Sequence, residues 1–463
     1  MSEGGRRIDF ELRPGVQFSD GAPFTCEDVA QTMRQLMDPA LHAPTGDAFR
    51  STPGDVETKC ASPLHAMVRF PGPVAALAAQ FDQVAILPVH SAHAESAVLG
   101  PFTVAEYKPG NYVLLRRNPN YWKRDANGHR LPYLDAIRLE IQQNRELELL
   151  RFRRGELDIV NRLDPEMYER LSTEMPHTVV DSGPSLDWEV VFFNQVANSP
   201  LPDYKRRWFR SDAFRRAISQ AIRREDIVRI VYHGHAQPGS GPVSVSNRFW
   251  LNTALKPAAF SDSGAIELLE RDGFHRSGGA LIDREGHKVE FSMITNAGSK
   301  LHERMLALIQ QDLAQIGIQL NVVTLDFPSL AERISRSFNY EAVLMGFTNV
   351  DLDPSAQMNI WLSSAANHQW NPSQKAPETA WEAEIDKLMQ AQAASQDVGK
   401  RKADFDKVQQ IVAEHAPILF LVNPNALAAV SPKLKNVTPA ALRPQIYWNA
   451  ERLYLGETLV SQR

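Results

Sequence analysis

The stretch 289–325 constrains the fold more than any other part of the chain, because its apolar period changes from two residues to 3.6 and back to two. The alternation on either side predicts two strands, and Gly317 predicts the end of the helix between them. The apolar residues of that helix are Leu301, Met305, Leu308, Ile309, Leu313 and Ile316. Since strand, helix and strand in succession pack a helix on a sheet, the chain is predicted to be an α/β protein.

The charge and the short apolar runs of the chain argue against nucleic-acid binding and against membrane-spanning segments. The chain has 463 residues and a formal net charge of −5, and it has no block of lysines and arginines. Nucleic acid is therefore not an expected partner. No run of about 18 apolar residues is present, so no segment is predicted to span a membrane. At about 100–200 residues per domain, the length predicts two or three domains.

Two apolar segments far apart in the chain are predicted to be buried strands, Glu189–Asn194 and Ile418–Val422. The region between them has its own predicted helices and strands, including 289–325. We therefore expect the two strands to lie side by side, with residues 196–416 forming most of a lobe inserted between them.

Two segments nearer the N-terminus carry clear local signals. Thr25 followed by Asp28 predicts a capped helix start. Pro109-Gly110, between two apolar runs, predicts a hairpin turn. The first segment reads FELRPGVQFSDGAPFTCEDV from Phe10 to Val29, and the second GPFTVAEYKPGNYVLLRRNPNYW from Gly100 to Trp122.

Together these two segments resemble the extracellular substrate-binding proteins of ABC importers, in the dipeptide, oligopeptide and nickel-binding family (solute-binding protein family 5). That family has patterns like F-x-L-R-x-G-V-x-F-x-D-G-x-P-h-T-A-x-D-V and G-P-Y-x-h-x-x-Y-x-P-G followed by R-N-P-x-Y-W. The resemblance covers nearly the whole chain. It implies an α/β, two-lobe periplasmic-binding-protein-like fold of type II with a small accessory subdomain.

The resemblance also implies a domain division. The main lobe is expected to comprise residues 1–19, 95–195 and 417–463, the accessory subdomain 20–94, and the second lobe 196–416. Relatives carry a signal peptide and further residues before F-x-L-R-x-G, whereas Met1–Gly5 is polar. The N-terminal part of the main lobe is therefore expected to be missing from this chain. A periplasmic or extracytoplasmic, membrane-associated location is expected.

The function that the resemblance implies is solute binding, with peptides as the first candidate ligands. A ligand is trapped between the lobes by hinge closure and delivered to an ABC permease complex at the membrane. The resemblance implies a monomer, no catalysis and no cofactor. A ligand-sensing orphan protein that acts on a regulator is the alternative, and a peptidase is a second one, disfavoured because no catalytic triad or metal motif is present.

The resemblance further places the ligand site in Gly346–Pro354, which follows a predicted strand. Peptide-binding relatives have G-W-x-x-D-x-x-D-P here, and the first Asp pairs with the ammonium group of the peptide. Val350 stands at that Asp position, so binding of an amine in the usual manner is not expected. The candidate ligand-binding residues are Asn194, Phe347, Asn349, Asp351, Asp353, Trp370 and Asn371.

Two of the candidates, Asp351 and Asp353, also have a purely structural interpretation. Asp353 precedes a proline, so capping of the next helix is the preferred interpretation. For Asp351, ligand contact and a solvated loop are equally favoured. Trp370 lies in a polar loop and is expected to face the cleft, whereas core packing is preferred for Trp361.

The cysteines and histidines indicate no metal site. Cys26 and Cys60 are the only cysteines, and Cys26 lies within a predicted helix. A buried free thiol is the preferred interpretation, and one disulfide is the alternative. The close histidine pairs, at 90 and 93 and at 233 and 235, lack the three or four convergent ligands that a metal requires.

Overall fold

The computed structural model describes residues 2–41, 43–47, 49, 54–142, 144–349 and 351–456. The chain forms two compact units. Unit 1 comprises Met1–Asp181, Ala393–Val398 and Leu427–Arg463, and unit 2 comprises Ser182–Gln392 and Gly399–Ala426. The predicted accessory subdomain, 20–94, falls within unit 1, and the three-part division stays a prediction.

The strands, in chain order, are β1 Arg7–Glu11, β2 Glu57–Ser62, β3 His65–Arg69, β4 Phe102–Lys108, β5 Tyr112–Arg117, β6 Ala136–Glu140, β7 Ile159–Val160, β8 Val179–Pro184, β9 Trp188–Phe193, β10 Ala236–Pro238, β11 His275–Ser277, β12 Ala280–Ile282, β13 Glu290–Asn296, β14 Gln319–Leu325, β15 Ala342–Phe347, β16 Ile418–Val430, β17 Leu434–Lys435 and β18 Tyr454–Leu455.

The α-helices are α1 Cys26–Met37, α2 Pro44–Asp47, α3 Leu77–Gln80, α4 Arg145–Arg153, α5 Pro165–Glu174, α6 Asp203–Arg210, α7 Asp212–Ala221, α8 Arg224–Asp226, α9 Asp262–Arg271, α10 Lys300–Gln315, α11 Phe327–Glu332, α12 Met358–Trp361, α13 Ala380–Ala394 and α14 Val398–His415. Short π-helical turns follow α8 and α11, at Ile227–Val231 and Arg333–Ser337.

Unit 2 is built on a sheet with strand order β10-β16-β9-β15-β13-β14. Strands β13, β14 and β15 are parallel to one another, and β9 is antiparallel to β15. The predicted strand–helix–strand unit is present as β13, α10 and β14. Strands β9 and β16 pair along Ile418↔Phe192 to Val422↔Glu189, which confirms that the two predicted apolar strands lie side by side.

The core of unit 2 lies between this sheet and the helices α7, α9 and α10. The predicted apolar stripe of α10 contributes four fully buried side chains, those of Met305, Ile309, Leu313 and Ile316. An aromatic cluster continues the core, with the ring centroids of Phe193 and Phe209 at 5.2 Å. Burial of side chains such as these stabilises a fold by about 1.5–3 kcal/mol each.

Unit 1 contains two separate three-stranded antiparallel sheets, β1-β3-β2 and β4-β5-β6. The predicted helix start is present, because the Thr25 amide donates to the Asp28 carboxylate at 2.7 Å in a capping box. The predicted hairpin is also present, as Lys108 pairs with Tyr112 across Pro109-Gly110.

The free-thiol interpretation of Cys26 is wrong, because Cys26 and Cys60 form a disulfide. The first residue of α1 is Cys26, and its amide donates to the Pro63 carbonyl at 2.8 Å in the turn between β2 and β3. That hydrogen bond holds the start of the helix against the end of β2, where Cys60 lies. A sequence pattern within one helix carries no information on this tertiary contact.

Candidate functional site

The strand order of unit 2 defines one edge of its sheet as the candidate site. The three parallel strands β13, β14 and β15 all end at this edge, which is called the carboxyl edge below. Strand β9 runs the other way and starts there, with Trp188 opposite Phe347. In open α/β sheets, ligands bind outside the carboxyl ends of the strands.

Four of the seven predicted ligand-binding residues lie at or after the end of β15 at this edge. They are Phe347, Asn349, Asp351 and Asp353. The ring of Phe347 is partly buried against Phe192, with the centroids 6.3 Å apart. The Asn349 amide nitrogen donates to the Leu186 carbonyl at 3.0 Å, which anchors the segment to the chain before β9. Val350, whose identity carries the argument about amine binding, lies outside the described residues.

The two aspartates of this segment differ in role. An Asp353 oxygen accepts the Ser355 amide at 2.9 Å and caps the short 3₁₀ helix Pro354–Gln357, as the preferred interpretation predicts. It also forms an ion pair with the buried Arg401 guanidinium at 2.6 Å. The Asp351 carboxylate accepts the Asp353 amide at 2.8 Å and is half-buried. Asp353 is therefore committed to the structure of unit 2, whereas Asp351 remains partly accessible.

A second loop, 242–249, is tied to the same edge. The Ser244 hydroxyl donates to the Ser185 carbonyl at 2.6 Å, and the Trp188 indole N–H donates to the Pro242 carbonyl at 3.2 Å. The Asn247 amide nitrogen donates to the Leu352 carbonyl at 2.8 Å. The chain before β9, the loop 242–249 and the segment after β15 therefore form one connected surface.

A buried polar cluster lies directly beneath the carboxyl edge. Glu189 accepts hydrogen bonds from the Tyr232 hydroxyl at 3.2 Å and from His302 Nε2 at 2.9 Å. The other ring nitrogen of His302 lies 3.0 Å from the Asn296 side-chain oxygen at the end of β13. A Cβ atom at Gly346 would lie 3.4 Å from the Glu189 carboxylate, in ordinary van der Waals contact, so the end of β15 packs against this cluster.

The other three predicted residues lie at the opposite edge of the sheet. Asn194 follows the far end of β9, about 20 Å from Trp188 at about 3.3 Å per residue. Its amide nitrogen donates to the carbonyls of Phe338 and Tyr340 at 2.7 and 2.8 Å. The Gln195 amide donates to the Trp370 carbonyl at 2.8 Å. The structure therefore separates the seven candidates into two groups.

The expectation that Trp370 faces a cleft is wrong. Its side chain is 0% exposed, and the Asn371 side chain that follows it is buried as well. The indole of Trp370 packs 6.0 Å from that of Trp361 and donates to the Glu382 carboxylate at 3.1 Å. The polar loop 368–372 is satisfied by partners inside unit 2, so Asn194, Trp370 and Asn371 hold the fold together.

Glu382 is the centre of this polar network. Its carboxylate accepts hydrogen bonds from His368, Trp370, Gln374 and Thr379 at 2.8 to 3.1 Å. Burial alone would raise the pKa of this carboxyl, but the hydrogen bonds from His368, Gln374 and Thr379 outweigh it and lower the pKa to about 2.

Sequence reasoning missed most of the residues that complete the carboxyl edge. The sequence gives no sign that Ser244 anchors a loop, although its hydroxyl donates to the Ser185 carbonyl at 2.6 Å. Asn423 in β16 was not considered, yet its amide donates to the carbonyls of Ser185 and Asp187 at 2.9 and 2.7 Å. The available signal was the pair of asparagines, Asn423 and Asn425, in a strand whose other residues are apolar.

One group outside this edge has the donor atoms of a metal site. Asp283, Glu285 and His287 offer ligand atoms within 4.8 Å of one another. However, Asp283 already accepts the Trp208 indole N–H at 3.1 Å and the amides of Glu285 and His287, and Glu285 pairs with Arg207. These contacts make the group a stable turn, and they leave little free coordination capacity.

Comparison with known proteins identifies the family. The model of the family described as "Bacterial extracellular solute-binding proteins, family 5 Middle" matches residues 1–369. The chain belongs to this family, as the two N-terminal motifs predict. Among the described residues, no helix has the length and apolar character needed to cross a membrane.

Individual relatives are distant in sequence. The "Probable ABC transporter-binding protein" of Deinococcus radiodurans is 25% identical over 343 residues, which are 70% of this chain and 57% of that protein. The chain thus spans little more than half the length of this relative. The "Oligopeptide-binding protein AppA" of Bacillus subtilis is 23% identical over 94% of this chain and 78% of its own length.

Solved structures show the same fold. The AppA structure from Bacillus subtilis in complex with a nonapeptide has a TM-score of 0.78 and 21% identity, covering 98% of this chain and 88% of that chain. NikZ from Campylobacter jejuni in complex with Ni(L-His) has a TM-score of 0.81 and 18% identity, covering 98% and 89%. These matches confirm the predicted α/β fold of the two-lobe periplasmic binding proteins.

Proposed function

We propose that the protein binds a solute, with peptides as the first candidate class, and delivers it to the permease of an ATP-driven importer. The observation that carries this proposal is the family match over residues 1–369. The names of relatives support peptides, since AppA is called an oligopeptide-binding protein and its solved structure holds a nonapeptide. Binding leaves the ligand chemically unchanged, and the protein acts as a monomer.

The carboxyl edge of unit 2 is proposed as one wall of the ligand site. It lies where ligands of open α/β sheets bind, and its loops are held by side-chain hydrogen bonds to backbone carbonyls, so little ordering is needed on binding. The chain passes between the two units at residues 181–182, 392–393, 398–399 and 426–427. These connections are the proposed hinge about which a ligand stabilises a closed form.

The disulfide supports a location outside the cytoplasm. Disulfides persist in oxidising compartments such as the periplasm and are rare where thiols are kept reduced. Cys26–Cys60 is therefore consistent with the expected periplasmic or extracytoplasmic site of action, beside a membrane-bound permease.

A direct test begins with the protein as purified. Native mass spectrometry identifies any solute that copurifies, and isothermal titration calorimetry then measures binding of a pool of tri- to pentapeptides to protein stripped of solute by reversible unfolding. Saturable binding at one site with a dissociation constant of roughly 1 μM or tighter is expected, equal to about −8 kcal/mol. A pool without measurable heat, together with a copurified solute that is no peptide, would contradict the peptide assignment.

Recognition of the peptide amine is expected to be weak, because Val350 stands where peptide-binding relatives have the amine-binding Asp. A buried ammonium group without a carboxylate partner costs several kcal/mol. A peptide that binds in the first test should therefore bind within about tenfold of its N-acetylated form, a difference of roughly 1.4 kcal/mol.

Titration of matched free and acetylated peptides into wild type and Asp351→Asn decides this point. If acetylation abolishes binding and Asp351→Asn does the same, the partly accessible Asp351 has taken over the amine site, and the expectation is wrong. Asp353→Asn is not a suitable control, because Asp353 pairs with Arg401 within the fold.

A further inference from the structure

We infer that the solute carries an apolar group, and that this group docks on the surface formed by Val245, Phe249 and Leu352. This inference rests on the proposed function and names the chemical class that the carboxyl edge selects. Large apolar side chains scattered singly over a protein surface need no explanation, whereas a cluster of them at a ligand edge does.

The three side chains belong to loops that are joined. The hydrogen bond from Asn247 to the Leu352 carbonyl links the loop 242–249 to the segment after β15 at 2.8 Å. Val245 and Phe249 are each two residues from Asn247 in the chain. The apolar side chains therefore lie around one fixed contact between two loops.

Three polar side chains of the loop 242–249 are engaged within unit 2. The Ser244 hydroxyl, the Ser246 hydroxyl and the Asn247 amide all donate to backbone carbonyls, those of Ser185, Pro184 and Leu352. Beside the exposed Arg248, the two loops present three apolar side chains outward, since Val245 is 37% exposed, Phe249 55% and Leu352 48%. Burial of such a surface is most favourable when the ligand group that covers it is itself poorly solvated by water.

The surface is also held in place. The ring of Phe249 makes an edge-to-face contact with the buried Trp250, with the centroids 4.9 Å apart. Trp250 is fixed in turn by the Arg401 guanidinium at 5.1 Å from its ring centroid. A preorganised aromatic side chain binds an apolar group at a low entropic cost. Arg248 is exposed beside Phe249 and favours an acidic ligand group. The experiment therefore compares apolar peptides with acidic ones.

The experiment presents a random tripeptide pool to the 463-residue protein and identifies the retained peptides by mass spectrometry. Calorimetry then compares a retained apolar peptide with versions carrying alanine or glutamate in place of its apolar residue. Peptides with Leu, Ile or Phe should be enriched, and they should bind about tenfold more tightly than the alanine version, about 1.4 kcal/mol.

Single substitutions test whether the apolar preference arises from this surface. Phe249→Ser and Leu352→Ser should each remove most of the tenfold preference, measured as the ratio of the affinities for the apolar and the alanine versions. Val322→Ser is the matched control, because Val322 is 39% exposed in the middle of β14 and away from the carboxyl edge. Thermal melts of all variants verify that the fold is retained.

The outcomes separate the inference from the proposed function. Retention of peptides without apolar preference, a preference for glutamate, or a preference unchanged in both variants would overturn the inference and leave peptide binding intact. If no peptide is retained, the proposal of peptide binding is wrong. The apolar surface is then tested separately with the fluorescent apolar probe anilinonaphthalene sulfonate. Its binding should weaken in Phe249→Ser and Leu352→Ser but not in Val322→Ser, and equal binding by all four proteins would overturn the apolar surface.

Discussion

Replacing Cys26 and Cys60 together with alanine is expected to lower the free energy of unfolding of the protein by about 4 kcal/mol. The disulfide closes a loop with a sequence separation of 34 residues, and the chain-entropy relation for a loop of this length gives that value. The bond also joins β2 to the first residue of α1, Cys26, which belongs to the core cluster that contains Val29 and Met33. Its loss should therefore loosen this helix before the rest of unit 1.

Urea unfolding followed by circular dichroism measures the change. The single variant Cys60→Ala serves as the control, because it removes the bond but keeps the buried Cys26 side chain. The single and double variants should lose nearly the same free energy if the bond itself stabilises the fold. Equal midpoints for wild type and both variants would show that the cross-link contributes nothing to stability.

The parts of the fold that sequence reasoning predicted are those with a local physical cause. The segment 289–325 repeats its apolar residues at the period of each element, so β13, α10 and β14 follow from side-chain direction alone. The strands β9 and β16 are apolar on both faces, which requires burial on both sides. The Thr25–Asp28 cap and the hairpin at Pro109-Gly110 likewise depend on neighbouring residues.

The parts that sequence reasoning missed depend on contacts between distant residues. The polar composition of 368–372 predicts exposure, yet Trp370 is buried because Glu382, twelve residues later, supplies the acceptor for its indole. Asn194 was placed with the ligand candidates, but strand direction puts it at the opposite edge from Phe347. Strand direction within a sheet is a property of the topology, and no local pattern encodes it.

In the candidate site, too, local patterns were recognised and long-range contacts were missed. The segment after β15 was found because its residue pattern resembles a family motif. The loop 242–249 was not, because its role follows from hydrogen bonds that Ser244 and Ser246 donate to carbonyls about 60 positions earlier in the chain. Every residue has a backbone carbonyl that can accept a hydrogen bond. The residue types at 184 and 185 therefore give no sign in the sequence that they hold this loop.

Glu382→Gln is expected to lower the free energy of unfolding by about 2–3 kcal/mol at pH 7. The Glu382 side chain is only 3% exposed, and its two oxygens accept five hydrogen bonds, from His368, Trp370, Gln374 and twice from Thr379. Glutamine matches the shape but turns an NH₂ group toward the Thr379 amide and hydroxyl, which are donors themselves. Hydrogen bonds to a charged group contribute about 1.5–3 kcal/mol, so loss of the charge weakens every one that remains.

Glu384→Gln is the matched control two residues along α13. The Glu384 carboxylate also has a lowered pKa, owing to hydrogen bonds from Lys407 and Lys387, but these ion pairs are exposed to solvent. Surface ion pairs contribute little to stability. Its substitution should therefore change the urea midpoint much less than Glu382→Gln does.

The pH dependence of the stability loss in Glu382→Gln tests whether that loss is electrostatic. The pKa of Glu382 is lowered in the folded protein to about 2, from an ordinary value of 4.5. A carboxyl with a lowered folded pKa stabilises the fold fully above its unfolded pKa, and that stabilisation declines as the pH falls toward the folded pKa. The stability gap between wild type and Glu382→Gln should therefore be constant from pH 7 to about 5.5 and should narrow steadily below pH 4.5. A gap of the same size at pH 3 as at pH 7 would mean that the variant disturbs packing around Trp370 and that the charge of Glu382 has no part in the loss.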